Sequence, residues 1–460
     1  MEVARQSRDP DIFKLTTDCC DEIFEYLSLK DLHAFGQTCK TMQKVAGVYF
    51  KRNYSAAPKY SGNDGIYIAY SDDKGVINEN IPTSGFNRYI TYISHYYEKL
   101  RPLHYIQSHS DEFESINHIY LVCLIINEAR VNCLMNLLPK IETLQIRNSS
   151  VEGHLNDMLL KHCANIRRLF VQDSDLGIFR LLDGGWAARI ENHWLRQEYP
   201  KLEYLELIPK YTNKIDELNE FFERNPTVQA FSTSTLCLWK NRKELLKSTA
   251  TLEMLEVKEA SEMDMIDDDD DEEFTLIEFC NLLKQLHRRR FFKRLNFYTQ
   301  SCNEETSTHL TSLGHCLEKL CIKNFTRSYS LPLLTNLKEL AIQDGANSTD
   351  MDILANSLPN LQRLHINKAS VDDIQPFIRQ SPKLRQIKVL SKDEAHFNRG
   401  ILKLLTLNQD REKLAQARKV SIYVPDNIFL RTKWSVNYGD TNLSLIEMKR
   451  CDSIEWNDHY

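Results

Sequence analysis

Metal chemistry needs histidines, cysteines or carboxylates spaced so that their donor atoms meet. His95, His104, His109 and His118 are the first candidates. Their intervals of 9, 5 and 9 place them on no common helical face and no His-Glu-x-x-His occurs, so a solvated or half-buried role is expected. Twelve cysteines are scattered singly apart from Cys19-Cys20, without a Cys-x-x-Cys pair. They read as reduced thiols of a cytoplasmic or nuclear protein, mostly small core residues. The seven acids from Asp267 to Glu273 lack the alternating ligands and glycine of a calcium loop. No Walker loop, Gly-x-Ser-x-Gly or dinucleotide fingerprint is present. The residues point to a binding protein, with no catalytic site, cofactor or metal expected.

The composition fits that reading. The 460 residues carry 58 Lys+Arg against 64 Asp+Glu, a net charge of −6, and 42% are apolar. That is enough for a core and excludes wholesale disorder. The slightly acidic balance gives no global attraction to nucleic acid or to an anionic membrane. Charge occupies the first ten residues where a secretory signal needs an apolar stretch. The longest apolar run, Ile119 to Ile126, is eight residues, too short to span a bilayer, and predicts a buried strand.

The elements that position binding residues come from a repeated phrase, apolar-x-x-Leu-x-apolar. It starts at Ile141, Ile166, Leu202, Leu252, Leu317, Leu337, Leu361 and Leu384, with weaker copies at Ile116, Val228, Phe292 and Val420. Seven of the eleven intervals fall between 23 and 26 residues. Many copies follow a Pro or Asn that closes a preceding helix, and Ile374, Phe377 and Ile378 share a helical face behind Ser370. Each unit is strand, turn, helix. This resembles the leucine-rich repeat, which implies an α/β curved solenoid with a parallel sheet on the concave face and helices on the convex face. Asn148 and Asn367 are the candidates for the family's asparagine after the strand.

Near the N-terminus, Cys20, Ile23, Phe24 and Leu27 follow i, i+3, i+4, i+7 spacing and predict one apolar helical stripe. Asp31 can cap a second helix carrying Leu32, Phe35, Cys39, Met42 and Ala46. Two such stripes in so short a segment imply docking on a partner or on the next domain. The segment resembles an F-box at Leu15, Ile23, Phe24, Tyr26, Leu27, Lys30, Asp31, Leu32, Cys39 and Lys40. It departs from the family at Thr16 (proline in the family), at Cys19 and Cys20 (leucines) and at Met42 (tryptophan).

The expected organisation is a disordered stretch at 1–10, an F-box at 11–52, a linker and N-terminal cap at 53–112, repeats at 113–425 and a C-terminal cap at 426–460. Turn signals at Ser61–Gly65 and Ser84-Gly85 mark the linker. The acidic run falls in a loop at 261–273 and precedes an apolar helix ending in His287-Arg-Arg-Arg290, a charge order that suits the helix dipole.

The resemblance implies a substrate receptor. Leu15, Ile23, Phe24, Leu27 and Leu32 would dock on the Skp-type adaptor, and through it on cullin, a RING subunit and a ubiquitin-conjugating enzyme. The repeats would hold a protein target, with a gain through effective concentration. A second reading is a leucine-rich-repeat scaffold without ligase assembly, suggested by Thr16 and Met42. Strand alternation aims Arg147, Arg168, Lys258, Arg294, Lys319, Lys323, Arg363 and Lys388 outward, with His365 beside them, against Glu206, Glu256 and Glu339. That basic excess predicts an acidic or phosphorylated target.

Overall fold

The computed structural model describes residues 15–27, 29–53, 87–96, 101–180, 186–188, 193–209, 214–259, 275–302, 304–325, 333–344, 348–367, 371–390, 402–435 and 441–450. The expected disorder at 1–10, the linker turns and the acidic run lie outside them.

Among the described residues the chain forms a sheet of 14 strands, from Tyr92–Tyr96 to Ile446–Arg450, ordered in space as in sequence. Every neighbouring pair is parallel. A parallel neighbour cannot be reached by a tight turn, so each strand returns through a crossover. Helices such as Leu276–Arg288, Ser348–Ser357 and Val371–Gln380 make the later crossovers. Thr275 caps the first of these by accepting from the Glu278 amide at 3.3 Å, and Ile374, Phe377 and Ile378 are buried on the third, as their spacing predicts. The repeated leucines of the strands lie at or near zero exposure beneath the helices, and one core runs without a break from Cys20 to Met448.

The early repeats differ from the strand, turn, helix expectation. Their crossovers open with a second sheet of four short strands, Ile125–Ile126, Ser150–Glu152, Asp175–Arg180 and Trp186–Ala188. The apolar run Ile119 to Ile126 is therefore two strands. Cys123 breaks it at φ 54°, and Asn148 at 47° and Asp173 at 45° make the same left-handed step one and two repeats later. Asn148 is exposed there. The buried polar ladder after these strands is carried by serine: the Leu124 amide donates to Ser149 Oγ, and the Ser149 amide to Ser174 Oγ, each at 3.3 Å.

The asparagines that precede several strands do more than end helices. The Asn165 side chain donates to the Pro139 carbonyl at 2.7 Å and Asn360 to Thr335 at 2.6 Å, and Asn336 reaches Gly314 and His315. Each amide thus satisfies a carbonyl of the preceding unit. Arg411, wholly buried, spends its guanidinium on the carbonyls of Ile378, Ser381, Pro382, Leu384 and Arg418 at 2.7–3.1 Å. Burial lowers its pKa to about 10.

The boundaries also shift. The first strand of the large sheet, Tyr92–Tyr96, falls inside the segment expected as a cap. The last, Ile446–Arg450, extends the sheet into the expected C-terminal cap, because Ile446 and Met448 supply its buried face. Among the described residues three α-helices precede the sheet: α1 Thr17–Phe24, α2 Leu29–Gly36 and α3 Lys40–Asn53. The second expected helix is thus two helices, broken at Gln37–Cys39. α2 begins at Leu29, which puts Asp31 in its first turn rather than at its cap.

The helical segment touches both ends of the coil. α3 packs against the turn Asn87–Tyr89 beside the first strand, and the helix Asp426–Ser435, next to the last strand, reaches α1 through Lys433.

Candidate functional site

The N-terminal helices are held by a small apolar centre. Phe24 is 1% exposed, with Phe35 and Tyr49 rings edge-on at 5.2 and 5.3 Å. Leu32 is equally buried, Cys20 and Met42 are also buried, and Leu27 is half-buried. Leu15 and Ile23 are 40% and 41% exposed, and Tyr26 joins them at 47%. The five residues expected on one docking face therefore divide. Phe24 and Leu32 point inward, where with Tyr49 and Phe50 they fill the apolar centre that a three-helix unit this small needs. Leu15 and Ile23 present apolar surface to solvent.

The departures at Thr16, Cys20 and Met42 have structural roles. Thr16 caps α1, accepting from the Cys19 amide at 3.4 Å. Cys20 and Met42 fill buried positions.

On the face of the sheet away from the helices, the outward side chains form rows. A register shift between Leu295 and Asn296 slips later copies of the phrase against earlier ones. One row accordingly reads Glu206, Ser232, Glu256, Asn296, Lys319, Glu339, Arg363 and Gln386. The charged groups of this row pair with opposite charges, Glu206 and Glu256 with Lys258 of the neighbouring row and Glu339 with Lys319 and Arg363 of its own. Lys258 Nζ lies 2.6 Å from Glu206 and 3.8 Å from Glu256, and Ser232 Oγ donates toward both carboxylates at 3.0 and 3.2 Å. Glu339 accepts from Lys319 at 2.9 Å and from Arg363 at 3.2 Å, while Arg294 faces Glu318 at 3.7 Å.

This corrects the expected run of outward basic groups. Lys258, Lys319, Arg363 and Arg294 each face an acid of their own sheet. Lys388 and His365 are 4% and 7% exposed, so neither presents a side chain to a partner. Burial, then the Lys388 charge, lowers the His365 pKa to about 3, so the ring is neutral. Arg168 lies over the Phe170 and Tyr204 rings at 5.5 and 5.2 Å, and burial lowers its pKa. Arg147 and Lys323 are exposed.

Sequence reasoning missed the aromatic partners. Tyr298 stands between Lys258 and Lys319, each 5.7 Å from its ring. Phe170, Tyr204 and Ala230 make a separate apolar cluster on this face with Met254 packed against it. Burial, reinforced by Glu256 and Glu206, raises the Tyr204 pKa well above its ordinary value. The signal was available, since Phe170, Tyr204, Met254 and Tyr298 occupy the same outward slots as the bases. A groove where the strands begin is lined by Glu142, Arg167, Lys201, Glu203 and Gln229. Its Arg167 and Glu203 pair with each other at 2.6 Å.

His104, His109 and His118 are not gathered; His104 Nδ1 lies 3.8 Å from Cys133 Sγ. No helix among the described residues is long and apolar enough to cross a membrane.

The three-helix segment and the sheet behind it define a protein with an N-terminal docking module on a solenoid-like body. Residues 12–52 match the family model of the F-box domain. The N-terminal segment is thus an F-box domain, the module that binds Skp-type adaptors. No curated protein matches the chain.

Proposed function

We propose that this chain is the substrate-recognition subunit of an SCF-type ubiquitin ligase, itself without catalytic activity. The F-box match at residues 12–52 carries the reading. The exposed apolar trio Leu15, Ile23 and Tyr26 supports it by supplying a contact surface, with Leu27 at its margin. Phe24 and Leu32 support that surface from within. Adaptor binding would bring cullin, the RING subunit and the ubiquitin-conjugating enzyme to a target held on the sheet. Proximity then turns the meeting of thioester and target lysine into a nearly intramolecular step.

The body behind the F-box reads as leucine-rich repeats. That assignment is supported by the near-constant period of the phrase and by one parallel strand from each copy. A target with acidic or phosphorylated groups suits the exposed Arg147 and Lys323, and its apolar side chains suit the Phe170, Tyr204 and Met254 surface. The place of action is the cytoplasm or nucleus, where such ligases assemble.

The test is co-purification of the full chain with a Skp-type adaptor, using wild type and the exposed-site variants Leu15→Asp and Ile23→Asp. A stoichiometric complex lost in folded variants is the expected result. A folded wild type that binds no adaptor would favour the repeat scaffold without ligase assembly.

A further inference from the structure

A second site lies where the helix of one repeat ends and the strand of the next begins. His287 is in the last turn of the helix Leu276–Arg288. His315 and Cys316 fill the turn between the helix Glu304–Leu313 and the strand Leu317–Phe325, one repeat later. One donor atom from each, two ring nitrogens and a sulfur, all lie within 4.8 Å of one another. The two imidazoles stand 4.8 Å apart at an interplanar angle of 66°. Cys316 is 3% exposed, His287 is half-buried and His315 is exposed, so the sulfur forms a floor beneath a side open to solvent.

We propose that His287, His315 and Cys316 bind one Zn²⁺, with water as the fourth ligand. Two imidazoles and a thiolate suit a borderline-soft ion, and the absence of a carboxylate from the cluster disfavours Mg²⁺ and Ca²⁺. Ligands at roughly 2.0–2.3 Å from tetrahedral zinc stand about 3.3–3.7 Å apart, so closure asks for roughly 1 Å of movement. The exposed His315 can supply it. A main-chain hydrogen bond at Lys293 holds His287, the outer support that fixes an imidazole ligand's orientation. The Cys316 thiol otherwise makes only a turn contact with the Leu313 carbonyl, at 3.4 Å. Arg288, Arg289 and Arg290 are exposed nearby, and their charge opposes the cation. On binding, the thiol gives its proton to solvent and the ion ties the end of one repeat's helix to the start of the next repeat's inner strand.

The test strips the full chain with a chelator, reloads it with Zn²⁺ or Mg²⁺, removes free metal and measures bound metal by mass spectrometry. The expected result is about one zinc per wild-type chain, no magnesium, and affinity at least about tenfold lower in His287→Ala and His315→Ala. His315 is exposed, so its removal leaves the fold intact, which a melting curve checks. With Co²⁺ in place of zinc, a sulfur-to-cobalt charge-transfer band should vanish in Cys316→Ser and persist in Cys280→Ser. A wild type that retains no zinc overturns the proposal. Equal zinc in wild type and His315→Ala also overturns it, since the ion is then held elsewhere.

Discussion

Lys433 and Glu25 meet at 2.9 Å across 408 residues of sequence, and Lys433 also reaches Glu22 at 2.7 Å. The ammonium lies 5.1 Å from the Tyr26 ring centre, and its side chain is only 11% exposed. Burial works against the charge, but the carboxylate bonds win and the Lys433 pKa is raised. The F-box is therefore tied to the last turn of the coil as well as to the first.

Lys433→Met should cost about 1–2 kcal/mol, because Glu22 and Glu25 remain partly hydrated when their partner is lost. Hydrogen exchange should then speed up in α1 and leave the central strands unchanged. A double-mutant cycle with Glu25→Gln should show coupling of about 1 kcal/mol; additive effects would mean that the contact does not hold the helices together.

Phe24→Ala and Ile23→Ala, neighbours in sequence, should behave differently. Removing the buried Phe24 ring should destabilise the helical segment by about 3–5 kcal/mol. The exposed Ile23 should tolerate alanine within about 0.5 kcal/mol. Chemical denaturation followed by helical circular dichroism separates the two.

Arg411→Met should destabilise the C-terminal repeats by about 3 kcal/mol or more, since buried carbonyls would lose their donor. Arg411→Lys should recover only part of the loss, because an ammonium has three donors where the guanidinium has five. Urea midpoints of the three proteins check the order.

His365 links stability to acid. Its folded pKa of about 3 lies below the ordinary 6.5, so below pH 6.5 the unfolded chain takes up a proton that the folded chain refuses. Stability from this site is full above about pH 7 and falls as pH drops from 6.5 toward 3, by about 2 kcal/mol at pH 5. His365→Gln should flatten that part of the stability profile. An unchanged slope would mean that the ring is protonated in the fold.

Alkylation of the native chain at neutral pH should modify the exposed Cys19 and spare Cys163, Cys237, Cys280, Cys316 and Cys321. Burial pushes these five thiols up to about 11 or 12. Peptide mapping before and after unfolding reads this directly, and early labelling of Cys321 would contradict the packing of its strand.

The repeat period and the α1 stripe were legible because burial of Leu, Ile and Phe leaves a spacing that sequence preserves. The charge balance of the outward face was not. The phrase alone aligns Lys319 with Met254, whereas the shift at Leu295/Asn296 puts Lys319 in the row of Glu206 and Glu256. A two-residue slip leaves every side chain on its original face, so hydrophobic pattern cannot reveal it. The zinc ligands escaped for a related reason: His287 and Cys316 are 29 positions apart and meet only because consecutive units stack. Phe24 and Leu32 match an F-box as well as Ile23 does, but family likeness does not separate a residue that touches a partner from one that holds the touching residue in place.

The bond from Lys433 back to Glu22 also has a temporal meaning. The F-box precedes the coil in the chain, and Lys433, which binds Glu22, arrives 411 residues after it, roughly 20–80 s at ordinary rates of translation. Through that interval α1 lacks the cation that neutralises its two glutamates. A chain stopped before residue 426 would keep most of its repeats but not this latch, so the state of α1 reports whether the far end of the coil has been built.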